Sequence, residues 1–411
     1  MFDFMDMDFA DSSALPTSTG PYIPDASECM RCGMCVSSCP TFRLLAVDEE
    51  TPRRRIRTIN KLLIEDQAIS ADEQQHLLNC LQCRACETVC PSRMAYGQLF
   101  DQALLALKRT PTRLAKWGLW LITYKKWRRR LMPVLAIYLR SGLRKPLQRS
   151  GLLRKWALAE AEALLTPPAL SSLAAYYPGK NTNRGQVALF TGCIAEHFDR
   201  ETLQASIRVL NAMGYEVLVP PQQVCCGAIH QHNGLPAETM MAKNMAVFNA
   251  LSVEAVLYTA TGCGAMLADY QSDDNQQSAH FKQRLQDIND FVLKHWPQQL
   301  NLRPLKEKAA VHEPCSQRNV LKNTTTVYAL LAKIPDLQIT SLADNSICCG
   351  AGGSYMLSHP DNAAKLLSMK KQVIAAAEAD ILVSSNFGCT TFMHTDTQKL
   401  LHPMCLLDRQ L

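Results

Sequence analysis

The sequence lacks an apolar run long enough to cross a bilayer. The strongest candidate near its middle, Leu131–Leu139, is about half of the ~20 residues a span requires, and Pro133 lies inside it. A secretory signal is also missing. The opening "MFDFMDMDFADSSALPTSTG" carries Asp where such a signal needs a basic start and an apolar run. No Gly-rich dinucleotide fingerprint of the G-x-G-x-x-G type follows a strand-like run, so no flavin is expected on this chain. Acidic residues are absent from 102–159, a stretch that holds fifteen Lys and Arg. Charged residues make up 19% and hydrophobic residues 47% of the 411 positions, which excludes a disordered chain. That length predicts two or three domains.

Cysteine, by contrast, is plentiful. Its count of 17 is odd, the chain is long enough to build cores without staples, and no export signal is seen. We therefore expect a reducing, cytoplasmic setting in which cysteines bind metal.

Cys29, Cys32, Cys35 and Cys39 follow the spacing C-x-x-C-x-x-C-x-x-x-C, with Pro40 next; Cys80, Cys83, Cys86 and Cys90 repeat it, with Pro91 next. This is the spacing of bacterial two-cluster ferredoxins, in which the fourth cysteine of each run ligates the other cluster. Three closely spaced thiolates can wrap one face of a cubane, and the fourth must come from elsewhere. The expected sets are thus Cys29, Cys32, Cys35 and Cys90 for one [4Fe–4S] cluster, and Cys80, Cys83, Cys86 and Cys39 for the other. Zinc is the bland alternative, but zinc sites pair well-separated C-x-x-C knuckles. Between the cassettes, Ile56, Ile59, Leu62 and Leu63 recur at helical spacing after Pro52. The run Arg53, Arg54, Arg55 and Arg57 reads first as a solvated face, and secondly as an offset to the charge of thiolate-bound clusters.

The acid-free stretch holds four of the five tryptophans, Trp117, Trp120, Trp127 and Trp156. Mixed apolar, aromatic and basic residues at helical spacing suit helices lying on an anionic membrane, a partner-binding surface, or a linker bundle packed on its own protein. A nucleic-acid patch has no supporting motif and no nucleic-acid partner is expected; a zinc-bearing, basic nucleic-acid binder is the distant alternative. Residues 166–185 read as a linker.

The second half is duplicated. Cys193 and Cys315 end similar strand-like runs, Cys225–Cys226 and Cys348–Cys349 each precede Gly, and Cys263 and Cys389 follow a third pair of runs, at offsets of 122, 123 and 126. Strand-like and helical runs alternate, which predicts a parallel α/β sheet in each repeat, with the cysteines at the carboxyl ends of strands. Cys193, Cys225, Cys226 and Cys263, and likewise Cys315, Cys348, Cys349 and Cys389, could hold a further cluster or zinc, or be buried structural thiols. Gly227 and Gly350 would let the backbone approach a metal. His230, His232, His312 and His394 could be ligands or proton carriers, and Cys405 falls outside the scheme as a structural thiol.

Taken together, the fold class expected is α+β multidomain. A mainly α ferredoxin-type domain spans 20–100, a basic helical segment and linker 101–184, and two cysteine-rich α/β modules 185–300 and 301–411.

Two ferredoxin cassettes followed by two C-C-G modules resemble the iron–sulfur subunit of bacterial glycolate oxidase. Relatives include subunits of anaerobic glycerol-3-phosphate dehydrogenase, lactate-utilisation proteins and heterodisulfide reductase. The stretches "ATGCGAMLADY" (260–270), "HEPCSQRNVLK" (312–322), "CCGAGGSYMLSHPDNAAKL" (348–366) and "PRRRI" (52–56) carry the resemblance. It implies flavin-bearing partner subunits that oxidise a 2-hydroxy acid. This chain would pass electrons on to quinone or another acceptor, peripheral on the cytoplasmic face of the inner membrane and not catalytic alone. One departure is notable: five-cysteine modules end in C-x-x-C, and here Met266 and Phe392 replace the second cysteine. A disulfide-cleaving site is therefore not expected.

Overall fold

Pro52, at the first turn of the helix that follows Thr51, starts the segment Pro52–Leu63. Its Ile56 and Ile59 are buried. A capping box between Ser70 and Glu73 opens the helix Ala71–Leu78. Both pack with the helix Tyr96–Ala106 around Leu77, Leu99, Phe100, Ala103 and Leu104. In the computed structural model, the described residues are 29–411 except 31, 157, 180–183, 273 and 396–398. The opening residues read for an export signal, the start of the 20–100 span and part of the 166–185 linker lie outside them.

Downstream lie two sheets. The first contains β1 (Tyr176–Tyr177), β2 (Gly185–Phe190), β3 (Tyr215–Leu218), β4 (Ala255–Tyr258) and β5 (Leu285–Asp287), in the order β1-β3-β2-β4-β5. The second contains β6 (Lys308–His312), β7 (Gln338–Ser341), β8 (Ile381–Ser384) and β9 (Lys399–Leu401), in the order β7-β6-β8-β9. Apart from β1, every pairing is parallel and the two orders correspond strand for strand. The registers correspond as well: Val187 faces Ala255 where Ala309 faces Ile381. The duplication read from cysteine offsets is thus a duplication of topology. Central strands β4 and β8 are buried along their whole length, as strands covered on both faces must be.

Sequence periodicity gave no sign of three of these strands. β1 falls within the stretch read as linker and pairs antiparallel with β3. β5 and β9 have three residues each, too short for alternation to register.

One core joins the repeats. Val187, Leu257, Ile288 and Phe291 from the first share it with Ala309, Val383, Met404 and Leu407 from the second. The helix Arg200–Ala212 packs on Pro403–Asp408, and Ile288–Lys294 packs on Thr324–Leu331. The leading helix of each repeat therefore meets the closing helix of the other. Cys405 lies in this core, its Sγ 3.5 Å from Thr202 Oγ1.

The basic stretch forms the helices Arg113–Thr123, Lys125–Arg140, Arg144–Arg149 and Leu152–Lys155. Some of its charge is used internally. Buried Glu196 receives Arg129 at 2.8 Å, Lys125 at 3.4 Å and Arg128 at 3.6 Å, and Glu162 receives Arg144 at 2.7 Å. Among the described residues no helix is long and apolar enough to cross a membrane.

Candidate metal centres

Each cassette folds as a loop leading into a short helix, Met34–Ser38 in the first and Ala85–Thr88 in the second. The chain between them brings the cassettes face to face. Cys29, Cys32, Cys35 and Cys90 line one hollow, with Cys86 and Tyr96 also in its wall. Cys39, Cys80, Cys83 and Cys86 line a second, again with Tyr96. The last cysteine of each run thus lies with the first three of the other. Among the described residues, neither hollow has a carboxylate or imidazole in its lining. Four soft sulfur donors without a competing hard ligand fit an iron–sulfur cluster. Burial pushes the thiols of Cys83 and Cys86 well above their ordinary value and raises that of Cys80. These surroundings favour the neutral thiol, so thiolates there require a bound cation.

The arginine run divides. Arg53 and Arg54 are exposed and pair with Asp48, and Arg57 is exposed. Arg55 is only 2% exposed, so the solvated-face reading fails for it. Its guanidinium donates to Glu50, to Thr41 Oγ1 at 3.0 Å, to the His76 carbonyl at 2.9 Å and to Cys39 Sγ at 3.6 Å. Burial opposes its charge, but the ionisable groups around it, Cys80, Tyr96, Cys39 and Glu50, act the other way, and the net effect holds its proton more tightly than usual. Helical phase explains the split: Arg55 shares the inward side of its helix with Ile56, Ile59 and Asn60.

The eight cysteines of the repeats do not form two separate edges. Both quartets line one cavity of about 390 Å³, with Cys83 of the second cassette also in its wall. Cys193 and Cys315 lie three residues beyond β2 and β6, while Cys263 and Cys389 sit in the helices Thr261–Ala268 and Phe387–Met393. Cys225–Cys226 and Cys348–Cys349 occupy the loops after β3 and β7. In each quartet the thiols touch in series; Cys349 Sγ lies 3.1 Å from Cys389 Sγ. Backbone donors reach Cys225 from Gly227 at 3.4 Å and Cys348 from Gly350 at 3.3 Å. Hydrogen bonding to Cys225 and Cys348, then burial, pushes Cys193 and Cys315 well above their ordinary value.

Among the described residues no three His, Cys, Asp or Glu side chains form a single-ion site. Four thiolates around one zinc at ~2.3 Å would stand about 3.8 Å apart, a tighter arrangement than a cubane needs.

Gly227 and Gly350 have a local explanation. Both are left-handed, at φ +95° and +87°, and a Cβ would meet Ala237 Cβ at 2.9 Å or the Ala363 carbonyl at 2.6 Å. Met266 and Phe392 abut these same two glycines, so an apolar side chain fills the equivalent place in each repeat.

The four histidines separate. His230 bonds Thr123 at 3.0 Å and His312 bonds Ser384 at 3.0 Å, both structural contacts. His394 is exposed. His232 lines the cavity, and its buried Nδ1 has no hydrogen-bond partner. Asp101 also lines the cavity and accepts from Gln231. Arg55 and Asp101 were both invisible as site residues in the sequence, because each acts through contacts made far along the chain.

Ties across the molecule fix this arrangement. Asn319 Nδ2 donates to the Cys83 carbonyl at 2.8 Å from a π-helical turn at Ser316–Leu321. Arg43 reaches Ser346 at 2.9 Å and Asp344 at 3.2 Å. The repeats join through Ser316 to Thr261 at 2.8 Å and Gly262 to Asn386 at 3.0 Å.

Comparison with known proteins matches the family described as 4Fe-4S dicluster domain to residues 25–94, and the family described as cysteine-rich domain to 187–268 and 309–394. The chain is 31% identical over 386 residues to the probable glycolate oxidase iron-sulfur subunit of Bacillus subtilis, covering 88% of this chain and 86% of that one. It is 29% identical to the glycolate oxidase iron-sulfur subunit of Escherichia coli, covering 89% of each. Lactate utilization protein A of Shouchella clausii is 25% identical over 209 residues, 49% of this chain and 87% of that one.

Proposed function

This chain belongs to the family of glycolate oxidase iron–sulfur subunits, and on that premise we propose that it is the electron-transfer subunit of a glycolate-oxidising complex. Flavin-bearing partners oxidise glycolate to glyoxylate, and this chain conducts the electrons to a quinone. Cys29, Cys32, Cys35 and Cys90 would hold one [4Fe–4S] cluster, and Cys39, Cys80, Cys83 and Cys86 the other. When bound, each cluster supplies one-electron carrier chemistry. The protein sets a buried cation beside Cys39 and holds the two hollows against a common wall. Residues 20–100 act as the carrier domain, 101–184 as the basic connecting segment, and 185–300 and 301–411 as the paired cysteine-rich modules.

The observation that carries this reading is the sharing of cysteines between sites. Cys86 lines both hollows, and Cys83 lines the second hollow and the eight-cysteine cavity. A route therefore runs from the first cassette to the repeats without a gap in sulfur-lined wall.

A location on the cytoplasmic face of the inner membrane has its support in the helix Lys125–Arg140. It turns Arg128, Met132 and Ala136 inward, and exposes Trp127, Leu131, Val134 and Ile137 on the opposite side. An outward apolar stripe flanked by Lys and Arg suits anionic lipid.

The test is substrate-dependent dye reduction in extracts from cells with and without the gene. Glycolate activity should vanish on deletion and return with the gene. A second reading, the same carrier serving D-lactate or glycerol-3-phosphate oxidation, is favoured in its lactate form by the match to lactate utilization protein A. Loss of lactate-dependent reduction with glycolate untouched would select it.

A further inference from the structure

A pure one-electron carrier has no use for proton-binding groups, yet besides its cysteines the large cavity is lined by Asp101, His232 and Asp269, the last paired with Arg84 at 2.5 Å. Its volume of about 390 Å³ is that of a small-molecule site. Besides the cysteines, its wall includes Phe100, Leu164, Leu165, Phe198, Met356 and Leu357, an apolar set drawn from several separate segments. Asp101 and His232 belong to its lining; the buried Nδ1 of His232, which lies beside Gly353, has no hydrogen-bond partner. Cys83, on the electron route, completes the wall.

We propose that this cavity is the acceptor site of the chain. It binds an uncharged, planar quinone, whose ring lies against the apolar wall, with His232 as hydrogen-bond partner to a carbonyl and Asp101 as proton donor. The proposal rests on the electron-transfer reading above and adds where the acceptor sits. The reaction balances as quinone plus two electrons plus two protons giving quinol. Electrons arrive singly through the site that includes Cys83, having left glycolate by way of the partner flavin. Each proton given by Asp101 is replaced from water.

Burial lifts the Asp101 carboxyl to about 7, against the hydrogen bond from Gln231; Asp269 and Glu87 push in the same direction as burial, and Arg84 opposes. It is therefore a carboxylic acid able both to give and to regain a proton near neutrality. Burial pulls His232 down to about 4, so its ring is neutral and can bond a carbonyl without adding charge. Apolar walls, a few convergent polar groups and a shifted carboxyl are the marks of a binding site.

The test uses the complex purified with its flavin partners and decylubiquinone as probe. Equilibrium dialysis of the resting complex should show saturable binding. Leu165→Trp and Leu357→Trp, each reducing the free space, should raise the dissociation constant at least ten-fold while the visible iron–sulfur absorption is retained. Asp101→Asn should keep the dissociation constant within two-fold. It should lower glycolate-driven quinone reduction at least ten-fold relative to ferricyanide reduction in the same sample, because ferricyanide takes one electron and no proton. Absence of saturable binding, or unchanged binding in both Trp variants, overturns the site. An unchanged quinone-to-ferricyanide ratio in Asp101→Asn overturns the proton role. If the wild-type complex binds quinone but reduces neither acceptor from glycolate, the electron-transfer reading fails and the binding site stands.

Discussion

Replacing Arg55 with Met tests the buried electrostatics of the cluster domain. Arg55 is 2% exposed and Glu50 is fully buried. Met roughly fills the volume of the arginine stem, so little cavity term arises. What remains is a buried carboxylate without its counter-ion. Removing one partner of such a pair costs ~3–5 kcal/mol. Glu50 keeps two other contacts, His76 Nδ1 at 2.7 Å and Asn79 Nδ2 at 2.6 Å, which places the expected cost at the lower end. That end corresponds to roughly a 100-fold shift in the unfolding equilibrium. The double variant Arg55→Met/Glu50→Gln removes both charges and should recover stability to within about 1 kcal/mol of the parent, since apolar or neutral replacements of whole pairs are well tolerated. The assay is urea titration of anaerobically purified protein, followed by the visible iron–sulfur absorption, across the four proteins of a double-mutant cycle. A parallel measurement is the reduction potential of the cluster on Cys39. Loss of the cation 3.6 Å from Cys39 Sγ should make that potential more negative. A cost below about 1 kcal/mol for Arg55→Met, or a double variant no more stable than the single, would refute the argument.

The remaining predictions concern ligand crossing, the basic face and the docking of the cassettes. Cys39→Ala, although in the first cassette, should abolish the same paramagnetic signal as Cys80→Ala and not the one lost in Cys29→Ala; iron per chain should fall by about four in each, as expected for one four-iron cluster. Val134→Asp/Ile137→Asp should weaken flotation with phosphatidylglycerol vesicles at least ten-fold and leave glycolate-driven dye reduction in solution intact, because both side chains are exposed, at 61% and 67%. Equal flotation of parent and variant would remove the lipid reading of that face. Gly234 sits at φ +68°, where an added Cβ would stand 2.6 Å from the Leu104 carbonyl. Gly234→Ala should therefore lower thermal stability by ~1–2 kcal/mol for the left-handed backbone, with a further ~1–3 kcal/mol for overpacking, read by calorimetry.

Much of this molecule follows from local order in the chain. Cysteine spacing with a following proline marks the two cassettes, because loop-held thiolates at fixed gaps are a local device. Offsets near 122 residues reveal the duplication, and strand-like runs place β2, β3, β4, β6, β7 and β8, because apolar runs bounded by turns need no distant information. Resemblance in the stretches around the C-C-G motifs points to the family. Other features depend on contacts between residues far apart in sequence. Arg53, Arg54, Arg55 and Arg57 look alike in the chain, and only packing against Glu50, Thr41 and Cys39 sends Arg55 inward. The helix Lys125–Arg140 has a legible period, but period alone does not say which face meets protein; the Leu121 and Ile122 carbonyls, which accept from Arg128, and Glu196 beside them hold the inward side. The two quartets look like two sites in the sequence and share one cavity in space, since the leading helix of each repeat packs on the closing helix of the other. Asp101 and His232 gain their chemistry from that closure: burial shifts a carboxyl and isolates a ring nitrogen only once the cassettes have docked on the repeats.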